Sequence, residues 1–276
     1  MFIFQKERFD NMLELKKVSA GYDGIDVINN VSFTLKPGEN LCIIGPNGCG
    51  KTTQIKAIAG LLPIKGNIFI DKKDISKMKR REIASKIAVM SQLSSIFFSY
   101  TVYETVLLGR YLHMKGVFKG PSAYDKSCVV KCLKAVGLYS LKDKQINTLS
   151  GGQLQRVYLA RTLAQEPSII LLDEPTNHLD LRYQAELIDY LKEWSNQEGH
   201  SIVGVLHDIN LALRLTDNFL VMDEGKIISF GSAKSAVTQD VLNKVYDMDV
   251  VGFMIDSLRK WENISNINET KISRII

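Results

Sequence analysis

A short apolar run, "NLCIIG" at 40–45, leads directly into "GPNGCGKTT" at 45–53, and "KTTQIKAIAGLL" then reads as a helix. No other stretch narrows the choice of fold as far. Gly45–Thr52 fits G-x-x-x-x-G-K-[ST], set between a buried strand and a helix, the context in which this pattern curls backbone N–H groups round a phosphate chain. The helix N-terminus adds its partial positive charge. Lys51 is placed to reach the outer phosphates, and the Thr52 hydroxyl to ligate Mg²⁺. The candidate phosphate-binding residues are therefore Gly45, Pro46, Asn47, Gly48, Cys49, Gly50, Lys51, Thr52 and Thr53.

A partner for this loop stands at "IILLDEP", residues 169–175. A buried apolar strand delivers Asp173 at its end, suited to hold Mg²⁺ through water. Glu174 follows. Neighbours on a strand point to opposite sides, so the two carboxylates can take different tasks, and Glu174 can polarise an attacking water as general base. Together the two segments predict a Mg-nucleotide hydrolase.

The rest of the chain supplies the frame. "MLELKKVSAGY", "DVINNVSFTL" and "GNIFID" read as strands, and "REIASKIAVMSQ" as a helix followed by a short strand. Between about Leu93 and Val157 strand signals thin out, and apolar spacings of three and four in "TVYETVLLGRYLHM" and "YDKSCVVKCLKAVGL" predict a helical insert. Strand–helix alternation then returns with "SIILLDEP", "QAELIDYLKEW", "SIVGVLHD" and "FLVMDEGKIISFG", the last being two strands across a Glu224-Gly225 turn. Such alternation argues for an α/β core with a mostly parallel sheet. The stretch after Ser257 is polar and carries little structural signal.

Composition excludes several classes. The 276 residues are 45% hydrophobic and 24% charged, ordinary for a globular chain, and no apolar run approaches the ~20 residues a membrane span needs. Net charge is +5, but no Arg/Lys stripe carries interleaved aromatics, so no nucleic-acid partner is expected. The densest basic run, Lys72 to Lys86, reads as a solvated helix face; the rival reading turns it toward anionic lipid heads. The four cysteines have neither C-x-x-C nor zinc spacing, which fits reduced thiols. "MFIFQKERFD" is too short and too charged for a signal peptide, and the pattern proper begins at Met12, leaving Met1 and Met12 both open as the start.

A second glycine-built site appears at "LSGGQLQRVYLAR", 149–161. Ser150 is a plausible cap and Gly151-Gly152 open a helix, which makes another anion-binding end. With this stretch the chain resembles the ATP-binding-cassette (ABC) ATPases from Met12 to about Val250. Five landmarks stand in family order: "GPNGCGKTT", Gln92 after "IAVMS", "LSGGQ" at 149–153, "LLDEPTNHLD" at 171–180, and "VLHD" with His207. "LSGGQ" is the specific one.

The resemblance implies an α/β fold: a P-loop NTPase (RecA-like) core from 12–92 and 158–232, with an N-terminal antiparallel β subdomain. It also implies an inserted α-helical subdomain at 93–157. Residues 1–11 would be an N-terminal extension, and 233–276 a C-terminal helix with a polar tail. It implies a head-to-tail dimer in which Ser150, Gly151, Gly152 and Gln153 close over the γ-phosphate held by the other copy, with Asp180 along the interface. By position, Tyr22 resembles the aromatic that stacks on adenine. Gln92 resembles the residue that senses Mg²⁺ and the attacking water, and His207 the switch histidine that contacts the γ-phosphate and orients the base Glu174. Cys49 stands where the family often has serine. Beside Lys51 and a helix N-terminus, its thiol is expected to have a lowered pKa and to be reactive.

"TVYETVLLGRYLHMKG", "VLHDINLALRLTD" and "VLNKVYDMDV" resemble importers for ferric siderophores, haem and cobalamin. That implies a peripheral subunit on the cytoplasmic face of the cell membrane, working with separate multi-span permease chains and, through them, a substrate-binding protein. The permease would dock near Gln92 to Arg110, meeting Phe97, Tyr100 and Tyr103. Two alternatives stay open: a soluble non-transport cassette acting in translation or DNA repair, and an importer ATPase for molybdate, zinc or manganese.

Overall fold

The computed structural model describes residues 11–91, 100–114, 120–177 and 179–265. Strands are β1 (Leu13–Tyr22), β2 (Ile25–Leu35), β3 (Leu41–Ile44), β4 (Ile64–Ile70), β5 (Lys73–Asp74), β6 (Ile87–Ser91), β7 (Ile169–Asp173), β8 (Ser201–Val205), β9 (Asn218–Asp223) and β10 (Lys226–Ser232). Helices are α1 (Lys51–Ile58), α2 (Arg80–Lys86), α3 (Val102–Leu107), α4 (Ala123–Ala135), α5 (Gly151–Ala164), α6 (Leu181–Ser195), α7 (Ile209–Leu215), α8 (Ala233–Ala236), α9 (Gln239–Tyr246) and α10 (Val250–Ser265).

Among the described residues these strands form two sheets. One is four-stranded and antiparallel, in the order β2-β1-β4-β5. The other runs β10-β9-β3-β8-β7-β6, parallel throughout except for its edge strand β10. The β9–β10 hairpin turns on Glu224 and Gly225, both at positive φ, as a two-residue turn between right-twisted strands demands.

Strands β3, β7 and β8 are buried almost end to end, as expected when a parallel sheet is covered on both faces. Alternation sorts their side chains. Leu41, Ile43, Leu171, Val203 and Val205 join the core shared with β1, β2, β4 and α1. Cys42, Ile44, Ile170, Leu172 and Ile202 join the core shared with helices α3 to α7. The chain is thus an α/β protein in three layers, with the parallel sheet in the middle.

The expected helical insert holds α3 and α4, packed against α5, which begins inside it and continues beyond residue 157 to Ala164. An ion cluster centred on the buried Arg110 locks this group. Arg110, 1% exposed, donates from Nε to Asp125 Oδ1 at 3.0 Å and from Nη1 to Ala164 O at 2.7 Å and Glu166 Oε2 at 2.6 Å. Gln165 ties the same corner to the sheet, donating to Ala84 O at 2.5 Å and Ile87 O at 2.8 Å.

The C-terminal stretch differs from expectation. Helix α10 runs on past Ser257 to Ser265. Val250 is buried and Val251 and Met254 pack on the core, anchoring the first turns, while Leu258 and Trp261 continue the same spacing and remain exposed. The other tryptophan, Trp194 on α6, is buried and stacks on His200 with ring centroids 4.1 Å apart. Among the described residues no helix is long and apolar enough to cross a membrane.

Candidate functional site

The site lies at the C-terminal ends of β3, β7 and β8, where open α/β sheets place their ligands. The glycine loop leaves β3 and enters α1 with Gly45 at φ 151° and Gly50 at φ 103°. Space as well as conformation demands glycine there. A side chain at 45 would meet Met222 O at 2.1 Å, and one at 50 would meet Ile28 Cγ2 at 2.7 Å. The loop is therefore pressed between β9 and β2, and Gly225 N donates to Cys49 O at 3.1 Å to hold it.

Lys51 is 5% exposed, and its Nζ donates to Gly45 O at 2.8 Å and Pro46 O at 2.7 Å, within the curl of the loop. Thr53 is buried in α1. Thr52 Oγ1 donates to Asp173 Oδ1 at 2.9 Å. Burial pushes the Asp173 carboxyl above the usual carboxylate range; the Thr52 hydrogen bond pulls it down, and the neighbouring charge of Glu174 pushes it up again.

Glu174 takes φ 54°, a left-handed turn that carries it off the line of β7, while its N–H donates to Val205 O at 3.1 Å. Both carboxylate oxygens are engaged. Oε1 stands 2.5 Å from His207 Nε2, and Oε2 accepts from Asn177 Nδ2 at 2.6 Å. A carboxylate only accepts, so His207 carries its proton on Nε2 in this contact. Asn177 was not singled out by sequence reasoning, although its place three residues after Glu174 could have suggested it.

Tyr22, at the end of β1, is 42% exposed. Lys56 of α1 donates to its hydroxyl at 3.2 Å and lies 5.5 Å from the ring centroid. The ring thus stands over the helix that the glycine loop opens.

The expected reactive Cys49 is overturned. Cys49 is 4% exposed, and burial raises its pKa; the Lys51 charge opposes this without reversing it. Gln92, expected as a catalytic and metal-sensing residue, lies outside the described residues, as does Phe97 of the expected permease contact. Of the other two aromatics in that contact, Tyr100 is exposed, whereas Tyr103 packs against the helical core.

The second glycine site is built as a helix start. Ser150 Oγ accepts from Gln153 N at 3.3 Å, and Gln153 Oε1 accepts from Ser150 N at 3.1 Å, a capping box. Asp180 caps α6 one way only, accepting from Tyr183 N at 3.1 Å. Gln155, buried on α5, donates to Pro175 O at 2.7 Å, so the helix start is fastened to the turn that follows Glu174. Sequence reasoning missed Gln155. Among the described residues no hydrogen bond joins residues 150–153 to the glycine loop at 45–53.

A glycine cradle with an inward lysine, a hydroxyl–carboxylate pair and a held glutamate define a nucleotide-binding cassette of the P-loop NTPase fold. The chain belongs to the ABC transporter family, whose model matches residues 28–177. It is 39% identical over 249 residues to the uncharacterized ABC transporter ATP-binding protein YvrA of Bacillus subtilis, which covers 90% of this chain but 56% of that longer protein. It is 36% identical over 234 residues to the ferric enterobactin transport ATP-binding protein FepC of Escherichia coli, covering 84% of this chain and 86% of FepC. Among solved structures, it matches an ABC transporter assigned to the metal-chelate type, in an inward-facing conformation, with TM-score 0.76 and 26% identity over 87% of this chain and 90% of that one.

Proposed function

We propose that this chain is the ATP-hydrolysing subunit of an importer that takes up a metal chelate, a ferric siderophore first and haem or cobalamin next, through a separate permease. The single observation that carries the ATPase reading is the pairing of Thr52 with Asp173 directly beneath the glycine cradle, with Glu174 and His207 paired alongside. The chelate reading draws on FepC and on the metal-chelate type structure.

Gly45 to Thr53 bind the phosphate chain through backbone N–H groups, and Lys51 shifts its ammonium from the loop carbonyls to phosphate oxygens. Tyr22 offers a face for the adenine ring. Thr52 and Asp173, with Gln92, are the residues that would hold Mg²⁺, which when bound neutralises charge developing on the phosphoryl oxygens. Glu174 accepts the proton of the attacking water. His207, hydrogen-bonded to it, orients that carboxylate and meets the γ-phosphate.

Ser150, Gly151, Gly152, Gln153 and Asp180 act on nucleotide held by a second copy of the chain. A head-to-tail pair is the arrangement that brings the two glycine sites, which share no hydrogen bond among the described residues, to one nucleotide. ATP binding closes the pair, and hydrolysis reopens it. The insert at 93–157, which carries the exposed Tyr100, Leu108 and Tyr111, faces the permease, and the subunit lies on the cytoplasmic side of the membrane. The core at 12–92 and 158–232 holds nucleotide.

The test is purification of tagged chain from membranes. Recovery of a multi-span permease and a binding protein for chelated iron, with ATPase activity in the complex, supports the reading. Recovery of ribosomes or DNA with no permease overturns it.

A further inference from the structure

The two glycines that open α5 occupy different surroundings. Gly151 is exposed, and a methyl group built on it would meet no atom within 4 Å. Gly152 is buried, and the same group would stand 2.5, 2.7 and 2.8 Å from Cδ2, Cε2 and Cγ of Tyr183. Gly152 lies within the helix and has no positive φ, so backbone freedom does not account for its missing side chain. The space is taken by a ring of the same chain.

That ring is itself well placed. Tyr183 sits in the first turn of α6, its N–H bonded to the capping carboxylate of Asp180 at 3.1 Å. The Arg156 guanidinium, one turn along α5 from Gly152, lies 5.5 Å from the ring centroid. The ring therefore bridges the start of α5 and the start of α6. A clash involving Cγ cannot be relieved by moving the ring tip; the whole side chain must swing. A cavity of about 160 Å³ beside it, lined by Leu159, Leu187 and Tyr190 among others, gives a displaced ring somewhere to go. A side chain at 152 would then leave the chain folded and the start of α5 misplaced.

We propose that Tyr183 is a positioning residue for ATP hydrolysis. Its ring fixes where the start of α5 stands relative to the Asp180 turn, so that both segments meet the second copy's nucleotide as one rigid body. Gly152 answers to Tyr183 in its own chain, and Gly151 is the position left open to a ligand from outside. The inference rests on the dimeric ATPase reading above.

The experiment is a double-mutant cycle on the full chain: wild type, Gly152→Ala, Tyr183→Ala and the pair, with Tyr183→Phe as the conservative control. Two readouts are taken, the thermal midpoint without nucleotide and the steady-state ATPase. The expected result is that Gly152→Ala lowers the midpoint by several degrees when Tyr183 is present and hardly at all when residue 183 is alanine. Tyr183→Ala lowers kcat about tenfold with KM within about twofold, Tyr183→Phe keeps wild-type turnover, and the double variant turns over faster than Gly152→Ala alone.

An equal effect of Gly152→Ala in both backgrounds overturns the assignment of Gly152 to Tyr183. Thermal coupling with unchanged kcat in Tyr183→Ala overturns the positioning role and leaves packing only. A wild-type chain without ATPase activity overturns the dimeric ATPase reading and this proposal with it, and the wild-type control alone reveals that case.

Discussion

Thr52 Oγ1 donates to Asp173 Oδ1 across 2.9 Å, joining two residues 121 positions apart. Asp173 is half-buried, and that burial raises its pKa although the Thr52 hydroxyl and the Lys56 and Lys51 charges pull it down. A cation bound at the pair would offset that burial. Asp173→Asn should leave the ATP-induced rise in thermal midpoint intact but erase the difference between ATP with Mg²⁺ and ATP with chelator. Turnover should fall at least about a hundredfold. A variant that keeps its Mg²⁺ increment places the metal elsewhere.

Glu174 is held by His207 on one oxygen and Asn177 on the other; a glutamine there keeps one accepting oxygen and turns its NH2 toward the second partner, which must re-orient. Glu174→Gln should cut turnover by about a thousandfold, within the range of a lost general base, while an ATP-bound dimer accumulates on size-exclusion with light scattering. Wild-type turnover in this variant would remove Glu174 from the role.

Tyr22 presents an exposed ring above α1, with Lys56 beside it. Tyr22→Ala should weaken ATP binding about three- to tenfold, the range for one aromatic stack, and Tyr22→Trp should restore it. Titration with a fluorescent ATP analogue checks both. Unchanged affinity in the alanine variant would leave Tyr22 as packing for Lys56.

Arg110 offers a pH test. Hydrogen bonds from Ser122, then Arg110, hold the Asp125 carboxyl below its usual range. Burial pushes Glu166 up, but Tyr124 and Arg110 outweigh it, and its net shift is downward. Lowered carboxylate pKa values stabilise the fold above the usual carboxylate range and lose that effect as pH falls through the folded-state values. Arg110→Met should therefore cost about 3 kcal/mol at neutral pH, and the gap from wild type should narrow on acidification. Denaturant unfolding at several pH values measures it; a gap independent of pH would mean that Arg110 contributes packing only.

The four cysteines are all free and buried, Cys49 among them. Native protein should resist maleimide under conditions that label all four thiols in urea. Rapid native labelling at Cys49 would restore the reactive-thiol reading that burial now argues against.

The loop at 45–53, the strand before it and the carboxylates at 173 and 174 were legible in the sequence because their chemistry is local. A glycine spacing dictates a backbone curl, and a buried strand dictates where its last residue emerges. The contacts that set these parts relative to one another were not legible. Gln165 reaches Ala84 and Ile87, about eighty positions back, and Tyr183 fills the side-chain space of Gly152. No periodicity marks such pairs, because they depend on how sheet and helices stack. Cys49 was misread for the same reason: its neighbours in the chain suggest activation, whereas its neighbours in space remove it from water. The helix beyond Ser257 was missed because an exposed apolar stripe interrupted by charges resembles an unstructured tail.

Trp194, stacked on His200 inside the fold, and Trp261, exposed in the last turns of α10, are the only two indoles in the chain. Their emission separates by environment. Acrylamide should quench Trp261 first and leave a blue-shifted Trp194 signal that survives until the interior melts. Each event at the C-terminal helix can thus be followed optically, without a dye, apart from events in the core.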